Sequence, residues 1–334
     1  MKIIQSVRVF LCLLFLLFPL NVQAADPFSA DQEKGNAAFG LEGWLSRADA
    51  KWQISFPYVT STGQPGRIQS RLDFKSIDSP MIIFSGGGKV SGDYSFDVLY
   101  GTGSISGGHG LDTDRFIPDS GGGYDFSRST NNDRGDVKAW GISFYYNNKR
   151  YGPAHAGPWG MVLGYLHYND SLHMTNGIQT LPLNFDGLTQ PAGPFPGLDS
   201  TYNFSWDMLK AGVLYQPKLT ENLSLSGALS VYPYVNYEGD GYWNLRTTGT
   251  NAFRSQSPNF IQTSTAGYGY DASLGLTYVV GKNLELTAGY RYFYLYAQNG
   301  TDSTYFANGA VSQDRLDWVT VTRTGAYAGA VFKF

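Results

Sequence analysis

Asp112-Thr113-Asp114 is the segment of this chain best suited to chemistry. Two neighbouring carboxylates can share a proton, each raising the other's pKa, and together they can polarise a water molecule. His109 lies three residues earlier and offers an imidazole, the side chain that accepts a proton near neutral pH. The competing reading is structural. Asp-Thr-Asp in a polar stretch makes a solvated turn, and a histidine set among Gly107, Gly108 and Gly110 reads as a loop residue. The remaining histidines, His155, His167 and His173, show no His-x-x-x-His spacing, so neither a metal nor another cofactor is expected. Gly101-Thr102-Gly103-Ser104 and Ser120-Gly121-Gly122-Gly123 precede no helical pattern and no Gly-Lys-Ser/Thr, which excludes a phosphate loop.

The elements that must position these residues are those of an exported chain. Lys2 and Arg8 precede an apolar run from Val9 to Leu20, followed by the small-x-small pattern Val22-Gln23-Ala24. This is a cleaved signal peptide over residues 1–24, with a short periplasmic segment over 25–37 and a single domain over 38–334. Cys12, the only cysteine, leaves with the leader, so neither a disulfide nor a lipid anchor is expected. The net charge of −3 becomes about −5 after cleavage, which argues against a nucleic-acid partner. Charged residues make up only 15% of the chain and no later run is long and apolar enough for a transmembrane helix, so any membrane crossing falls to strands.

Alternation supplies those strands. Leu284, Leu286, Ala288, Tyr290, Tyr292, Tyr294 and Tyr296 share one face, opposite Glu285, Thr287, Gly289 and Arg291. The segments 266–281 and 222–238 repeat the design, and the chain closes with Ala326, Ala328, Ala330 and Phe332 opposite Arg323, Tyr327 and Lys333. An apolar face edged by tyrosines fits lipid with aromatic girdles at both interfaces. About ten such segments are predicted, near 38–57, 68–85, 93–106, 134–148, 158–172, 201–216, 222–238, 266–281, 283–298 and 317–334. Short turns at 85–88, 217–220 and 281–283 alternate with longer polar stretches at 107–133, 173–200, 239–265 and 299–316. The fold class is therefore all-β: a single transmembrane antiparallel up-and-down barrel in the bacterial outer membrane, with short periplasmic turns and long extracellular loops. Pro233 inside a strand requires a bulge or a position above the membrane. Parity assigns Arg71, Asp73, Lys75, Asp271, Glu285, Arg291, Arg323 and Lys333 to the lumen, as ion pairs filling a narrow barrel.

Several local motifs resemble the omptins, outer-membrane barrel proteases with an active site in an extracellular cleft. Gly43-Trp44-Leu45-Ser46 is similar to their first-strand Gly-x-Leu-Ser, and Ser70-Arg71-Leu72-Asp73-Phe74-Lys75 to their Ser-x-Leu-Asp-aromatic-Lys. Ile82-Ile83 follows at the corresponding distance, and Asp112-Thr113-Asp114 stands where omptins carry an Asp-x-Asp pair. The resemblance implies that Asp112 and Asp114 polarise water on one wall of a cleft, facing an Asp-x-His couple on the fourth loop. Here that loop reads Glu238-Gly239-Asp240-Gly241-Tyr242, so Asp240 matches the aspartate while Tyr242 replaces the histidine. A phenol with a pKa of about 10 is a poor base at neutral pH. Lys51 stands where omptins carry an acidic residue that recognises a basic substrate side chain. The fifth-strand and post-Asp-pair motifs are missing, apart from Gly164-Tyr165.

Two expectations follow. The first is an omptin-like barrel with a surface cleft, impaired or altered as a peptidase, with Asp112, Asp114 and Asp240 as site residues and His109 or Tyr242 as proton carrier. Its partners would be outer-membrane lipid, lipopolysaccharide as the resemblance implies, and an extracellular peptide or protein. The second is a small porin-like or ligand-transport barrel, disfavoured because side chains fill a ten-stranded lumen.

Overall fold

The computed structural model describes residues 37–148, 150, 157–249 and 252–334. The leader, the 25–37 segment up to residue 36, and His155 lie outside these residues, and Ala37 already belongs to the first strand. The strands are β1 (Ala37–Val59), β2 (Pro65–Asp78), β3 (Met81–Ser91), β4 (Tyr94–Ile105), β5 (Gly107–Pro118), β6 (Tyr124–Tyr146) and β7 (Trp159–Pro182). They continue as β8 (Gly193–Pro194), β9 (Ser200–Tyr215), β10 (Leu223–Tyr242), β11 (Phe260–Ser264), β12 (Ala266–Val280), β13 (Leu284–Tyr305) and β14 (Val311–Lys333).

β1 pairs antiparallel with β14, which closes the ring. β2 and β3 pair in succession along β1 and so form one stave, interrupted at Ser79-Pro80. β4 and β5 do the same along β6, interrupted at Ser106, and β11 and β12 along β10, interrupted at Thr265. With the two-residue β8 set aside, the described residues form ten staves, as the alternation predicts. Following paired residues once around the ring from Trp44 leads back to β1 just beyond Ser55, a stagger of about a dozen residues that sets the strand tilt.

The outward face near the termini is apolar: Leu41 and Leu45 on β1, Phe96 and Val98 on β4, Leu274 and Leu276 on β12 are all exposed. Above it the outer wall turns charged, with Arg47 paired to Asp78 at 2.7 Å and Lys138 to Asp136 at 3.2 Å. Inside the belt the lumen holds Arg291–Glu42 at 2.9 Å, Lys333–Glu285 at 2.6 Å and Lys210–Asp271 at 3.6 Å, the ion-paired filling the parity predicts. Among the described residues no helix is long and apolar enough to cross a membrane.

The structure corrects the connections. The first near-end turn is at Gly92-Asp93, and Gly86 and Gly87 sit within β3, paired with Phe39 and Ala38. Most of the polar stretches 107–133 and 299–316 are not loops but hairpins, β5–β6 and β13–β14, turning at 119–123 and 306–310. Outside lipid both strand faces can be polar, so hydropathy loses its alternation while backbone pairing continues. Among the described residues, 183–199 and the stretches 243–249 and 252–259 are the long connections at the far end. Arg71, Asp73 and Lys75 do not face the lumen, and Asp73 is buried on the other face under Arg71 at 2.5 Å; Leu72 and Phe74 take the inner face, with Phe74 stacked on Tyr202 at 6.2 Å.

Candidate functional site

Asp112 and Asp114 lie on the inner face of β5, beyond the apolar belt. Their cross-strand neighbours are Leu72 and Ser70 on β2, and Ser129 and Ser127 on β6. Above them, Phe185 from the 183–199 loop packs on Phe126 at 4.3 Å and Phe116 at 5.1 Å. Asn244 ties the 243–259 connection to 183–199, accepting from the Asp199 backbone N–H at 2.9 Å and donating to the Gly197 carbonyl at 2.7 Å. This places Arg246, at the end of the short Asn244–Arg246 turn, within electrostatic reach of both carboxylates. Burial pushes the Asp112 carboxyl well above its ordinary range, and Asp114 adds to the rise while Arg246 opposes it. Burial likewise raises Asp114, against hydrogen bonds from Ser70 and Ser127 and the charge of Arg246.

The other candidates do not join this pair. His109 is exposed on the opposite face of β5, next to the inward-facing, buried Gly110. Lys51 also faces outward, between the buried Ala50 and Trp52. Asp240 accepts from Asn203 Nδ2 at 2.9 Å on the outer wall, and Tyr242 shares its face. The inner positions beside them are Gly239 and Gly241, against the Tyr202 and Tyr237 hydroxyls and the Phe260 ring respectively. The cause is the bulge at Pro233. Three residues from Val231 to Tyr234 span two on β9, so inward positions change from even (Ser230, Tyr232) to odd (Val235, Tyr237). His167 bonds Asp207 at 2.9 Å and stacks on Trp140, and His173 bonds Asp199, both on the outer wall of β7. None of the three described histidines therefore faces Asp112 and Asp114.

The lumen beside the pair is packed. Trp52 on β1 meets Tyr202 on β9 at 5.8 Å between ring centroids, and Phe74 meets Phe204 at 5.7 Å. Lower down, Arg323 of β14 reaches Asp170 of β7 at 2.7 Å, and Tyr168 meets Phe293 at 5.2 Å. These contacts join opposite walls at two heights. Because Gly241 leaves room for the Phe260 ring, Gly241→Ala should destabilise the barrel by about 1–3 kcal/mol through overpacking. Urea titration in detergent checks this, and an unchanged midpoint would show the ring plug to be loose.

Sequence patterning missed Arg246, Asp133 and the pair Asp302 and Asp314. Asp302 is buried opposite Asp314 at the far end of the β13–β14 hairpin, and burial pushes it to about 6. All lay in stretches read as loops, or at the margin of one. For Asp302 and Asp314 the signal was alternation with hydroxyl residues, as in Asp302-Ser303-Thr304 and Ser312-Gln313-Asp314, whereas Arg246 and Asp133 carried no such pattern.

No curated protein matches the chain in sequence. Among solved structures it is similar to the outer membrane protease OmpT from Escherichia coli, at 14% identity and a TM-score of 0.70, covering 90% of this chain and 97% of that one. That likeness establishes an omptin-like barrel fold. A Pseudomonas aeruginosa FadL homologue aligns at 10% identity over 90% of each chain with a TM-score of 0.31, too low to bear on the fold. Residues 42–326, nearly the whole barrel, match a single family model, and the chain belongs to the Protochlamydia outer membrane protein family, Pom, as an integral β-barrel of the outer membrane.

Proposed function

We propose that the protein is a closed omptin-like barrel that presents its external half for binding and interaction, and that it lacks peptidase activity. The observation that carries this reading is the separation of Asp112 and Asp114 from Asp240 and Tyr242, which occupy opposite faces of the wall. Hydrolysis of a peptide by an activated water needs a proton acceptor within hydrogen-bond reach of that water. The pair instead meets Ser70, Ser127 and the charge of Arg246. Losing the acceptor costs on the order of 10² to 10⁴ in rate.

The test is cleavage of a diverse peptide library by the refolded barrel in detergent with added lipopolysaccharide, beside an Asp112→Ala, Asp114→Ala variant. Both proteins should be equally inert while folded and heat-modifiable on a gel. Cleavage by the parent that the variant loses would overturn the proposal and restore the carboxylate pair as catalytic. A porin-like role fits less well, because Trp52 with Tyr202 and Arg323 with Asp170 bridge the lumen.

A further inference from the structure

A notch of about 510 Å³ opens in the outer wall at the upper edge of the apolar belt. It lies where the stave of β2 and β3 is interrupted. Pro80 offers no N–H to β1, so the regular register lapses at Leu45 and Ser46, where the strands stay joined only through Ser79, whose N–H donates to the Ser46 carbonyl at 2.9 Å. Its floor is apolar, with the exposed Leu45 and Tyr290 beside Ala326. Its upper rim is the ion pair of Arg47 Nε with Asp78 Oδ1 at 2.7 Å, whose side chains are 63% and 49% exposed. Arg47 uses only Nε in that contact, and among the described residues its Nη groups and Asp78 Oδ2 have no partner. The rim thus presents a fork of free donors beside a free carboxylate oxygen. The volume is that of a small-molecule site.

We propose that the notch seats one aminophospholipid. The phosphodiester lies on the Nη fork of Arg47, the ammonium on Asp78 Oδ2, and an acyl chain follows Leu45, Tyr290 and Ala326 down into the bilayer. Guanidinium matches phosphate in a planar two-point contact. A lipid with negative charge alone is disfavoured, because Asp78 stands at the rim with Asp49 close to Arg47. A zwitterion with a hydrogen-bonding ammonium matches both signs. This selectivity comes from the rim, while the depth of the notch at the belt's edge fixes where the headgroup sits.

Native mass spectrometry of the detergent-solubilised barrel tests the proposal, with palmitoyl-oleoyl phosphatidylethanolamine, the matching phosphatidylglycerol, or lipid A added singly. The parent should retain one phosphatidylethanolamine, at least tenfold more tightly than phosphatidylglycerol or lipid A. Arg47→Ala should lose that preference by weakening all phosphate lipids. Asp78→Ala should weaken phosphatidylethanolamine and strengthen phosphatidylglycerol, a reversal that general misfolding cannot produce. Leu45→Trp should block the floor and abolish the adduct with the charged rim intact. Equal retention of the three lipids by the parent, or adducts insensitive to all three substitutions in heat-modifiable protein, would overturn it.

Discussion

Arg323→Ala should lower the unfolding free energy of the barrel by about 3–5 kcal/mol, the cost of breaking a buried ion pair from one side. Arg323 is 0% exposed. It donates from Nη2 to Asp170 Oδ1 at 2.7 Å, from Nε to the Tyr168 hydroxyl at 2.8 Å, from Nη1 to Ser46 Oγ at 2.7 Å, and also to Ser79 Oγ. Removing the guanidinium leaves Asp170 in the closed lumen with only Tyr168 as partner and strips the two serines of their donor. The desolvation cost of those groups remains while the attraction that offset it is gone. Arg323→Met combined with Asp170→Leu removes both charges and should be less destabilising than Arg323→Ala alone, since an apolar replacement of similar volume leaves no carboxylate stranded. Urea unfolding in detergent, followed by tryptophan fluorescence and gel mobility, measures both. Equal losses would assign the stability to packing around Tyr168 and Phe293. In planar bilayers the single variant should stay silent, because the contact of Trp52 with Tyr202 still bridges the lumen.

The membrane-spanning part of this barrel was legible because lipid enforces one rule on every stave. Leu274 and Leu276, or Leu229 and Val231, must face outward, so parity reads directly as orientation. Beyond the belt that reading fails for a specific reason. The stave of β2 and β3 gains one residue near Ser76, which sits at φ 54°, so Ala48 pairs Ile77 while Ala50 pairs Phe74. The gain turns Arg71, Asp73 and Lys75 outward. The stave of β4 and β5 gains one residue near Ser106, between the pairs Ile105 with Gly135 and His109 with Asn132. That shift aims Asp112 and Asp114 inward and His109 out. The bulge at Pro233 turns Asp240 and Tyr242 outward in the same way. A single inserted residue exchanges the two faces of everything above it.

The same irregularities explain why motif likeness and site geometry part company. Asp112-Thr113-Asp114 and Asp240 occupy positions along the chain that the omptin pattern assigns to two facing walls. Whether such positions converge depends on the parity of the strand beneath them, which a motif does not encode. Only the Pro233 irregularity announced itself, because a proline cannot donate to the ladder. Ser76 and Ser106 carry no comparable mark. Arg246 was still less accessible, since its approach to the carboxylates depends on Asn244 joining two loops distant in sequence.

Asp133→Asn should make the barrel more stable at alkaline pH and leave it unchanged in acid. Asp133 is 1% exposed on the inner face of β6, where Asn131 Nδ2 donates to Oδ1 at 2.5 Å and Oδ2 has no hydrogen-bond partner. Burial lifts its pKa from 3.8 to about 7, with Asn131 pulling the other way. The folded state therefore holds this proton more tightly than the unfolded chain does. Below the unfolded value both states are protonated and the contribution to stability is complete. As pH rises from about 4 to 7 the unfolded chain ionises first, so stability falls, reaching a loss of about 4 kcal/mol once the folded carboxyl also ionises. Asparagine keeps the shape without the charge and removes this slope. Urea midpoints for parent and variant should coincide near pH 3.5 and diverge by several kcal/mol near pH 8.5, with the variant more stable. Asp302, raised to about 6 by burial, acts with the same sign, as do the raised Asp112 and Asp114, so both proteins share a residual slope and the difference between them isolates Asp133. Parallel pH profiles for the two proteins would show that water reaches Asp133 Oδ2, and that the inner wall beneath Asp112 and Asp114 is wet.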